Sequence, residues 1–276
     1  MSSVPIIDLQ KCTRCGLCVK DCFFNAIDKE KMNIIEKKCS LCGHCIAVCP
    51  VNAVSSDSIS IEQINKVSDG FKFDFINLVR SRRSVRHYRE EHVDDKIVAD
   101  IVDVLNYTPT GTNSQATYVT VINSQQKIRD LSFKMMRFFH TFSKVFFNPI
   151  TFPIFCVFLG VSLTKTIFRY RARLKKSLNE NKDILTHNAP MVMIFHADTK
   201  RSAVPEQDAI IKATVGLYYA ESLGLGTCFN GFLVKGFNAS RKLKEIAGIP
   251  LNHRVYETFT AGYPDIKYQR TFCRLV

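Results

Sequence analysis

Eight of the eleven cysteines lie in two short runs with the same spacing, C-x-x-C-x-x-C-x-x-x-C. The first run is Cys12, Cys15, Cys18 and Cys22, and the second is Cys39, Cys42, Cys45 and Cys49. Three thiolates at this spacing ligate one [4Fe-4S] cluster, and the fourth cysteine of each run ligates the other cluster. We therefore expect two clusters. The expected ligand sets are Cys12, Cys15, Cys18 and Cys49 for one, and Cys39, Cys42, Cys45 and Cys22 for the other.

Zinc sites and disulfides are the alternatives for these cysteines. Zinc also uses C-x-x-C pairs, but a three-plus-one spacing that occurs twice suits it poorly. Disulfides are typical of small secreted chains, whereas these cysteines are grouped at metal-ligand spacing. His44 lies inside the second run, and we interpret it as exposed or adjacent to sulfide and not as a ligand.

The two runs belong to an internal duplication, residues 12–27 and 39–54. Gly16 and Gly43 occupy matching positions in it, where the backbone must curl tightly, and glycine tolerates the φ angles required. The segment resembles the bacterial two-cluster ferredoxins over about 50 residues. It departs from them at Phe23, which stands where a proline usually follows the fourth cysteine.

Two further polar segments could hold a phosphorylated heterocycle. The first, residues 82–86, places three guanidinium groups and one hydroxyl within five residues, a combination that can clamp a phosphate. The second, residues 108–115, is a run of small polar residues that can offer amides and hydroxyls to a polar ring. Alone, each segment is a weak signal, because basic runs are usually solvated surface.

In this order, the two segments resemble the opening of the nitroreductase family. Residues 223–231 resemble that family's central flavin-contact segment, and residues 262–264, with the basic residues that follow, resemble its C-terminal one. The resemblance covers roughly residues 73–276. It implies an α+β homodimer that binds FMN in each subunit interface.

The resemblance also implies which residues bind FMN. The phosphate and ribityl contacts are Arg82, Arg83, Ser84 and Arg86, completed by Arg270 or Arg274. The contacts made from the neighbouring subunit are Pro109, Thr110, Gly111 and Asn113. Backbone amides around Asn230 and Gly231 face the ring edge near N5, where a donor favours the reduced flavin. No side chain is assigned a catalytic role.

The elements that position these residues are predicted from apolar spacing. Residues 93–107 and 206–223 carry apolar side chains at helical spacing, and Gly224 is expected at the C′ position of the second helix. The apolar runs 118–122 and 191–195 predict buried strands. The predicted fold class is α+β: a two-cluster ferredoxin-like module in residues 1–64, a linker at about 55–72, and an FMN domain in residues 73–276.

Charge and composition restrict the partners. The hydrophobic fraction of 46% is that of a globular protein. The formal charge of +13 falls to roughly +7 once two clusters and a flavin phosphate, each carrying about −2, are included. The remaining excess favours an anionic protein or membrane surface, and we expect no nucleic-acid partner. Because no secretory leader is visible at the start, the expected location is the cytoplasm.

Residues 145–164 form a stretch of 20 residues without a charged side chain. As a helix it would be long enough to span a bilayer, but a single crossing would separate Ser84 from Asn230. We interpret the stretch as a lid or a dimer-packing element. A peripheral membrane contact stays open as an alternative, because basic residues follow at 165–176.

The fusion of clusters to a flavin domain predicts an oxidoreductase. Flavin converts between one-electron and two-electron chemistry. We therefore expect single electrons from a low-potential donor, such as reduced ferredoxin, to pass through the clusters to FMN, which reduces a nitroaromatic, quinone or activated alkene. Two alternatives remain: reverse flow, in which FMN oxidises a substrate and the clusters export electrons, and a non-enzymatic electron-transfer or redox-sensing module.

Overall fold

The computed structural model describes residues 4–57, 67–146 and 161–271. Internal contacts divide the chain into an N-terminal unit, Met1–Asp69, and a C-terminal unit, Gly70–Val276. The division lies inside the predicted linker. Each unit has a hydrophobic core of its own.

The N-terminal unit combines two short helices with two small antiparallel sheets. The helices are α1 (Leu17–Asp21) and α2 (His44–Ala47). The strands are β1 (Ile6–Ile7), β2 (Ile27–Asp28), β3 (Asn33–Ile34) and β4 (Val54–Ser55). β1 pairs with β4, and β2 pairs with β3. A single 3-10 turn, Glu36–Lys38, precedes the second cysteine run.

The two halves of this unit repeat the same local geometry. Gly16 and Gly43 precede α1 and α2 with φ angles of 79° and 77°, in the left-handed region that favours glycine. The thiol sulfur of Cys22 accepts a hydrogen bond of 3.2 Å from an amide four residues later, and that of Cys49 does the same at 3.2 Å. The internal duplication predicted from the sequence is therefore present in the fold.

The C-terminal unit is built around a four-stranded antiparallel sheet with the order β5-β6-β8-β7. Its strands are β5 (Thr117–Ile122), β6 (Met191–Asp198), β7 (Gly226–Phe229) and β8 (His253–Gly262). β6 is buried over nearly its whole length. Its alternate residues enter two different cores: Met193 lies in one and Ile194 in the other, because successive side chains of a strand point to opposite faces.

Helices cover both faces of this sheet. They are α3 (Phe71–Ser81), α4 (Asp95–Val104), α5 (Gln125–Phe146), α6 (Val161–Asn179), α7 (Pro205–Ser222), α8 (Gly231–Ala239) and α9 (Arg241–Ala247). The start of α4 is capped by the Asp94 carboxylate, which accepts from the Lys96 amide at 2.8 Å. α7 begins with Pro205, a residue favoured in the first helical turn.

The four elements predicted from apolar spacing are confirmed. The helical pattern 93–107 corresponds to α4 and the 3-10 turn Leu105–Tyr107, and 206–223 corresponds to α7. Both predicted strands are present as β5 and β6. Gly224 follows α7 with a φ of 85°, as its predicted role requires.

The uncharged stretch 145–164 lies mostly outside the described residues. α5 ends at Phe146 and α6 begins at Val161, and the predicted lid or membrane contact at 147–160 falls between them. Within the described ranges, no helix has both the length and the apolar character needed to cross a membrane.

Candidate functional site

The N-terminal unit brings the first predicted ligand set together. Cys12, Cys15, Cys18 and Cys49 line one small cavity, whose remaining wall includes Ile7 and other apolar side chains. Burial raises the pKa of Cys18, and the neighbouring thiols Cys12 and Cys15 raise it further. Cys49 therefore lies beside the three thiols of the other run, as the three-plus-one spacing requires.

In the second run, Cys45 lies near the thiols of Cys39 and Cys42. Burial raises the pKa of Cys45 to about 11, and the nearby thiols Cys39 and Cys42 contribute to the increase. Over the described parts of the chain, no three ligand side chains converge as a single metal ion would require. Donor sets made only of thiols fit an iron–sulfur cluster, whose positive iron ions stabilise the thiolates that burial disfavours.

In the C-terminal unit, residues 84–85 pair alongside β7. Ser84 forms a parallel bridge with Thr227, and the Val85 amide donates to the Thr227 carbonyl oxygen at 2.9 Å. Burial raises the pKa of the Cys228 thiol, while Arg86 and Ser84 act in the opposite direction. The pairing therefore places the Ser84–Arg86 segment next to the end of β7.

A cavity of about 340 Å³ opens at this point. Arg86, Asn230 and Gly231, three of the residues assigned to FMN, line it together with Cys228. Its volume lies within the range of small-molecule sites. Tertiary packing thus gathers residues from two distant segments of the chain around one space, which we call the ring cavity.

Asn230 supports the ring cavity through its backbone and side chain. Its amide donates to the Thr258 carbonyl oxygen at 2.8 Å. Its side-chain Nδ2 donates to the Leu185 carbonyl oxygen at 2.5 Å, and Oδ1 accepts from the Leu233 amide at 3.3 Å as the N-cap of α8. The Asn230 amide is therefore occupied by Thr258 in this structure, and its contact with a flavin edge stays a prediction.

Gly231 has an open backbone at the start of α8. It is the first residue of α8, and the first amides of a helix have no partner within the helix. A Cβ added at Gly231 would meet nothing within 4 Å. The backbone here is open on the cavity side, so a flat ring could approach it closely.

The two adjacent arginines of the predicted phosphate clamp face different surroundings. The Arg83 guanidinium donates to Thr271 Oγ1 at 2.7 Å and to the carbonyl oxygens of Arg80 and Arg82. It ties α3 to the C-terminal segment, and its contact with the phosphate stays a prediction. Arg82 lies near Glu221: burial raises the pKa of that carboxyl, while hydrogen bonds from Thr227 and then the charge of Arg82 oppose the increase.

The described C-terminal and loop residues of the predicted FMN set do not line the ring cavity. Arg270 is exposed, and its carbonyl oxygen accepts from Arg83 at 3.5 Å. Arg274 lies outside the described residues. The loop that carries Pro109, Thr110, Gly111 and Asn113 is held elsewhere: the Gly111 amide donates to the buried Asp208 carboxylate at 2.8 Å. Among the described residues of this chain, none from that loop lines the ring cavity.

Comparison with protein families matches residues 79–263, about two thirds of the chain, to the Nitroreductase family. The chain belongs to the nitroreductase family. A 4Fe-4S dicluster domain matches residues 11–53. The family predicted from the four segments is therefore confirmed, and the N-terminal unit is a dicluster domain that carries two [4Fe-4S] clusters.

Solved nitroreductase structures share the fold of the C-terminal unit. One from Bacteroides fragilis with bound FMN has a TM-score of 0.55 and 17% identity, covering 72% of this chain and 94% of that one. An FMN-dependent nitroreductase from Clostridium difficile has a TM-score of 0.52 and 21% identity, with coverages of 73% and 95%. These similarities confirm the predicted α+β class. Comparison with curated proteins gave no match.

The nitroreductase unit places further residues at the ring cavity that the sequence did not reveal. Tyr170 and Arg173 from α6, Phe139 from α5 and His187 from a loop all line it. Arg173 was interpreted only as part of a basic flank, and His187 carried no recognisable motif. Their roles depend on contacts between distant segments, which spacing along the chain does not show.

Asp183 organises the loop that carries His187. Its buried carboxylate accepts hydrogen bonds from Ser132 Oγ at 2.5 Å, from the Leu185 and Thr186 amides at 3.0 Å each, and from the Asn188 amide at 3.0 Å. The Thr186 hydroxyl also donates to it. His187, held between these contacts, has a φ of 57°. The loop is therefore fixed locally by one side chain.

Proposed function

We propose that this protein is an FMN-dependent iron–sulfur oxidoreductase. Single electrons from a low-potential donor enter through the two clusters, and a small electrophile such as a nitroaromatic, quinone or activated alkene is reduced at the flavin site. The observation that carries the proposal is the presence, in one chain, of a dicluster domain and a nitroreductase domain. When bound, FMN supplies the conversion between one-electron and two-electron chemistry.

The chemistry of the described side chains supports FMN as the ligand. Arg82 and Ser84 would bind the phosphate, with Arg270 or Arg274, and Arg86 and Gly231 would serve the part of the flavin in the ring cavity. Arg86 and the Gly231 end of α8 offer donors to the ring cavity, and none of the described residues that line it is a carboxylate. Such a donor-rich site suits a ligand that is anionic at its phosphate and gains negative charge on reduction.

The fusion also supports a one-electron donor. Because cluster pairs carry electrons singly, they would be needless if a hydride from NAD(P)H reached the flavin directly. A reduced ferredoxin or a similar protein is therefore the proposed donor. The formal charge of +13 is compatible with an acidic partner of this kind.

We also propose a homodimer in which the loop 109–113 completes the site of the second subunit. In this chain the loop lies away from the ring cavity, as described above. Exposed apolar side chains lie on α3 and on α7, which contact each other through Phe75 and Tyr218, with ring centroids 6.3 Å apart. The exposed apolar residues on these helices are Phe71, Phe73, Phe75, Ile76, Ile210, Ile211 and Val215. Exposed apolar side chains grouped on two neighbouring helices are typical of a subunit interface.

The test begins with anaerobic purification and measurement of FMN, iron and sulfide. The oxidised protein is then mixed with reduced ferredoxin or with NADH, and the flavin absorbance is followed. We expect reduced ferredoxin to bleach the flavin and a nitroaromatic or quinone to restore it. In a Cys45→Ala variant, which loses a cluster ligand, bleaching by ferredoxin should slow sharply.

Three results would contradict parts of the proposal. Bleaching by NADH alone, at a rate unchanged in the Cys45→Ala protein, would refute the assigned donor. Bleaching by a reduced organic substrate, followed by electron export to oxidised ferredoxin, would reverse the assigned direction. A reduced flavin that no small electrophile reoxidises would favour a pure electron-transfer module.

A further inference from the structure

The ring cavity adjoins a second cavity of about 380 Å³. The two share Arg86, Arg173, Ile184 and His187 in their linings. These shared residues form a boundary between the space next to Gly231 and the loop that Asp183 organises. We call this boundary the cationic wall.

Arg173 is the strong cation of the cationic wall that the FMN assignments leave unused. It forms no ion pair or hydrogen bond with any other residue in the described ranges. The second cavity contains three carboxylates. Asp183 already accepts hydrogen bonds from Ser132 on α5 and from its own loop, and Glu90 and Asp265 are exposed. An unpaired guanidinium that lines a cavity is a ready partner for an anionic group.

The charges of Arg86 and Arg173 both affect the pKa of His187. Burial lowers its pKa, Arg86 and Arg173 lower it further, and only Asp183 acts in the opposite direction. The imidazole is therefore neutral at pH 7 and able to donate one hydrogen bond. Its ring makes no hydrogen bond to another described residue, so both nitrogens are free for a ligand.

Aromatic side chains form another part of the lining of the ring cavity. The Tyr170 and Phe232 ring centroids lie 5.1 Å apart, and those of Phe139 and Phe232 lie 6.3 Å apart with nearly perpendicular planes. The three rings come from α6, α8 and α5, and all of them line the cavity. Such an aromatic wall suits a planar apolar ligand.

We propose that the cationic wall is an anion-recognition subsite for the electron acceptor. Arg173 pairs with a carboxylate of the acceptor, His187 donates a hydrogen bond to it, and the aromatic wall packs against its planar body. This inference rests on the proposed function and narrows it: the preferred acceptors are planar electrophiles that carry a carboxylate, and neutral analogues are poor substrates.

The test uses two acceptors that differ only in charge, 4-nitrobenzoate and 4-nitrobenzamide, with the holoprotein reduced by ferredoxin. We expect the wild-type protein to prefer the benzoate. Arg173→Gln should lower kcat/KM for the benzoate by about 10- to 100-fold, the worth of a charge-assisted hydrogen bond, and leave the benzamide within about twofold. Arg173→Glu should reverse the preference, and Arg173→Lys should lie between. Lys175→Gln, an exposed position on the same helix, is the matched control.

Two binding measurements separate this subsite from the cofactor site. FMN affinity of the apoprotein should be the same for wild type and Arg173→Gln. Benzoate, which cannot be reduced, should perturb the flavin absorbance of the wild type at a concentration at least tenfold lower than it does for the variant. A loss of FMN affinity in Arg173→Gln would assign Arg173 to the cofactor and overturn the proposal, as would equal losses for both acceptors.

The outcomes also distinguish the subsite from the proposed function. If both acceptors are reduced equally well by wild type and Arg173→Gln, the enzyme function stands and the subsite fails. If neither acceptor is reduced but benzoate binds in an Arg173-dependent way, the subsite stands and the acceptor chemistry fails.

Discussion

Gly226 on β7 faces Val85 so closely that a Cβ built on the glycine would lie 2.5 Å from Val85 Cγ2 and 2.9 Å from Val85 Cβ. Only a residue without a side chain lets the 84–86 segment lie flat against the strand. The hydrogen bond from the Val85 amide to Thr227 depends on this approach. The positions of Ser84 and Arg86 are therefore set by a glycine outside the segment itself.

Gly226→Ala should destabilise the protein and weaken FMN binding together. Overpacking at a buried contact costs roughly 1–3 kcal/mol, and relief requires the 84–86 segment to move away from β7. Thermal unfolding and FMN titration of the apoprotein measure the two effects. Gly70→Ala, where a Cβ meets open space, is the control and should change neither. Normal FMN affinity in Gly226→Ala would show that the pairing does not position the clamp.

Substitution of Arg82 and of Arg83 should have different effects on FMN affinity, although the two residues are adjacent. Arg82→Gln should weaken FMN binding by about 10- to 100-fold through the loss of a charge-assisted phosphate contact. Arg83→Gln should leave FMN affinity nearly unchanged but lower the unfolding temperature, because its guanidinium bonds Thr271 and the end of α3. Fluorescence titration with FMN compares the two variants. If the two variants lose FMN affinity equally, Arg83 also contacts the phosphate.

Asp183→Asn should destabilise the loop that carries His187. In this variant an amide NH2 group replaces one carboxylate oxygen. Because this group cannot accept hydrogen bonds from the donors that face it, the free energy of unfolding should fall by roughly 2 kcal/mol or more. Urea unfolding measures this loss, and weaker benzoate binding should accompany it. Asp130→Asn, at an exposed position on α5, is the matched control. If Asp130→Asn lowers the free energy of unfolding as much as Asp183→Asn does, Asp183 has no specific role in organising the loop.

Double cysteine variants test how the eight thiols are divided. If Cys12 and Cys49 ligate the same cluster, Cys12→Ala/Cys49→Ala should lose no more iron than either single variant, about four ions per chain. Cys12→Ala/Cys22→Ala should lose both clusters, because these cysteines belong to different sets. Iron and sulfide analysis of anaerobically purified protein distinguishes the pairs. The reverse pattern would assign the fourth cysteine of each run to its own cluster.

His196 should make stability depend on pH. It lies 2.8 Å from both His253 Nδ1 and Thr120 Oγ1, and burial, followed by the charges of His253 and Lys244, lowers its pKa from 6.5 to about 4. Because the folded pKa is depressed, this contribution to stability is present above pH 6.5 and is lost as pH falls towards 4. The free energy of unfolding should fall by up to roughly 3 kcal/mol over that range.

Urea unfolding at several pH values between 5 and 7.5 measures the dependence on His196. His196→Gln keeps a polar side chain of similar size and should flatten the curve, whereas His92→Gln, at an exposed position, should leave it unchanged. An unchanged slope in His196→Gln would place the pH dependence elsewhere in the chain.

Local patterns were sufficient for part of this structure. The strands β5 and β6, the helices α4 and α7 and the left-handed Gly224 all follow from apolar spacing and from glycine's freedom of φ, which are properties of consecutive residues. The cluster ligands are predicted just as directly, because each predicted set takes three of its four thiols from one run. The fourth thiol is predicted to come from the other run. The duplication indicates this, because each run has a fourth cysteine that can ligate the other cluster.

The flavin site needed more than local patterns. Arg82 and Arg83 are indistinguishable in the sequence, and only the contacts of α3 with the C-terminal segment separate them. The Asn230 amide was expected at the ring edge, but its pairing with Thr258 is a contact between strand β8 and the start of α8. Arg173 and His187 meet Arg86 only because α6, the Asp183 loop and the segment beside β7 line the same cavity.

The sequence by itself determined the chemistry that this protein can hold: thiols at cluster spacing, and four segments in the order typical of a nitroreductase. The tertiary structure decided which side chains face the cavity and which have their hydrogen-bonding groups paired within the fold. The physical reason is that a hydrogen-bonding group can serve a ligand only if no neighbour has already satisfied it, and such neighbours are brought by packing between distant segments.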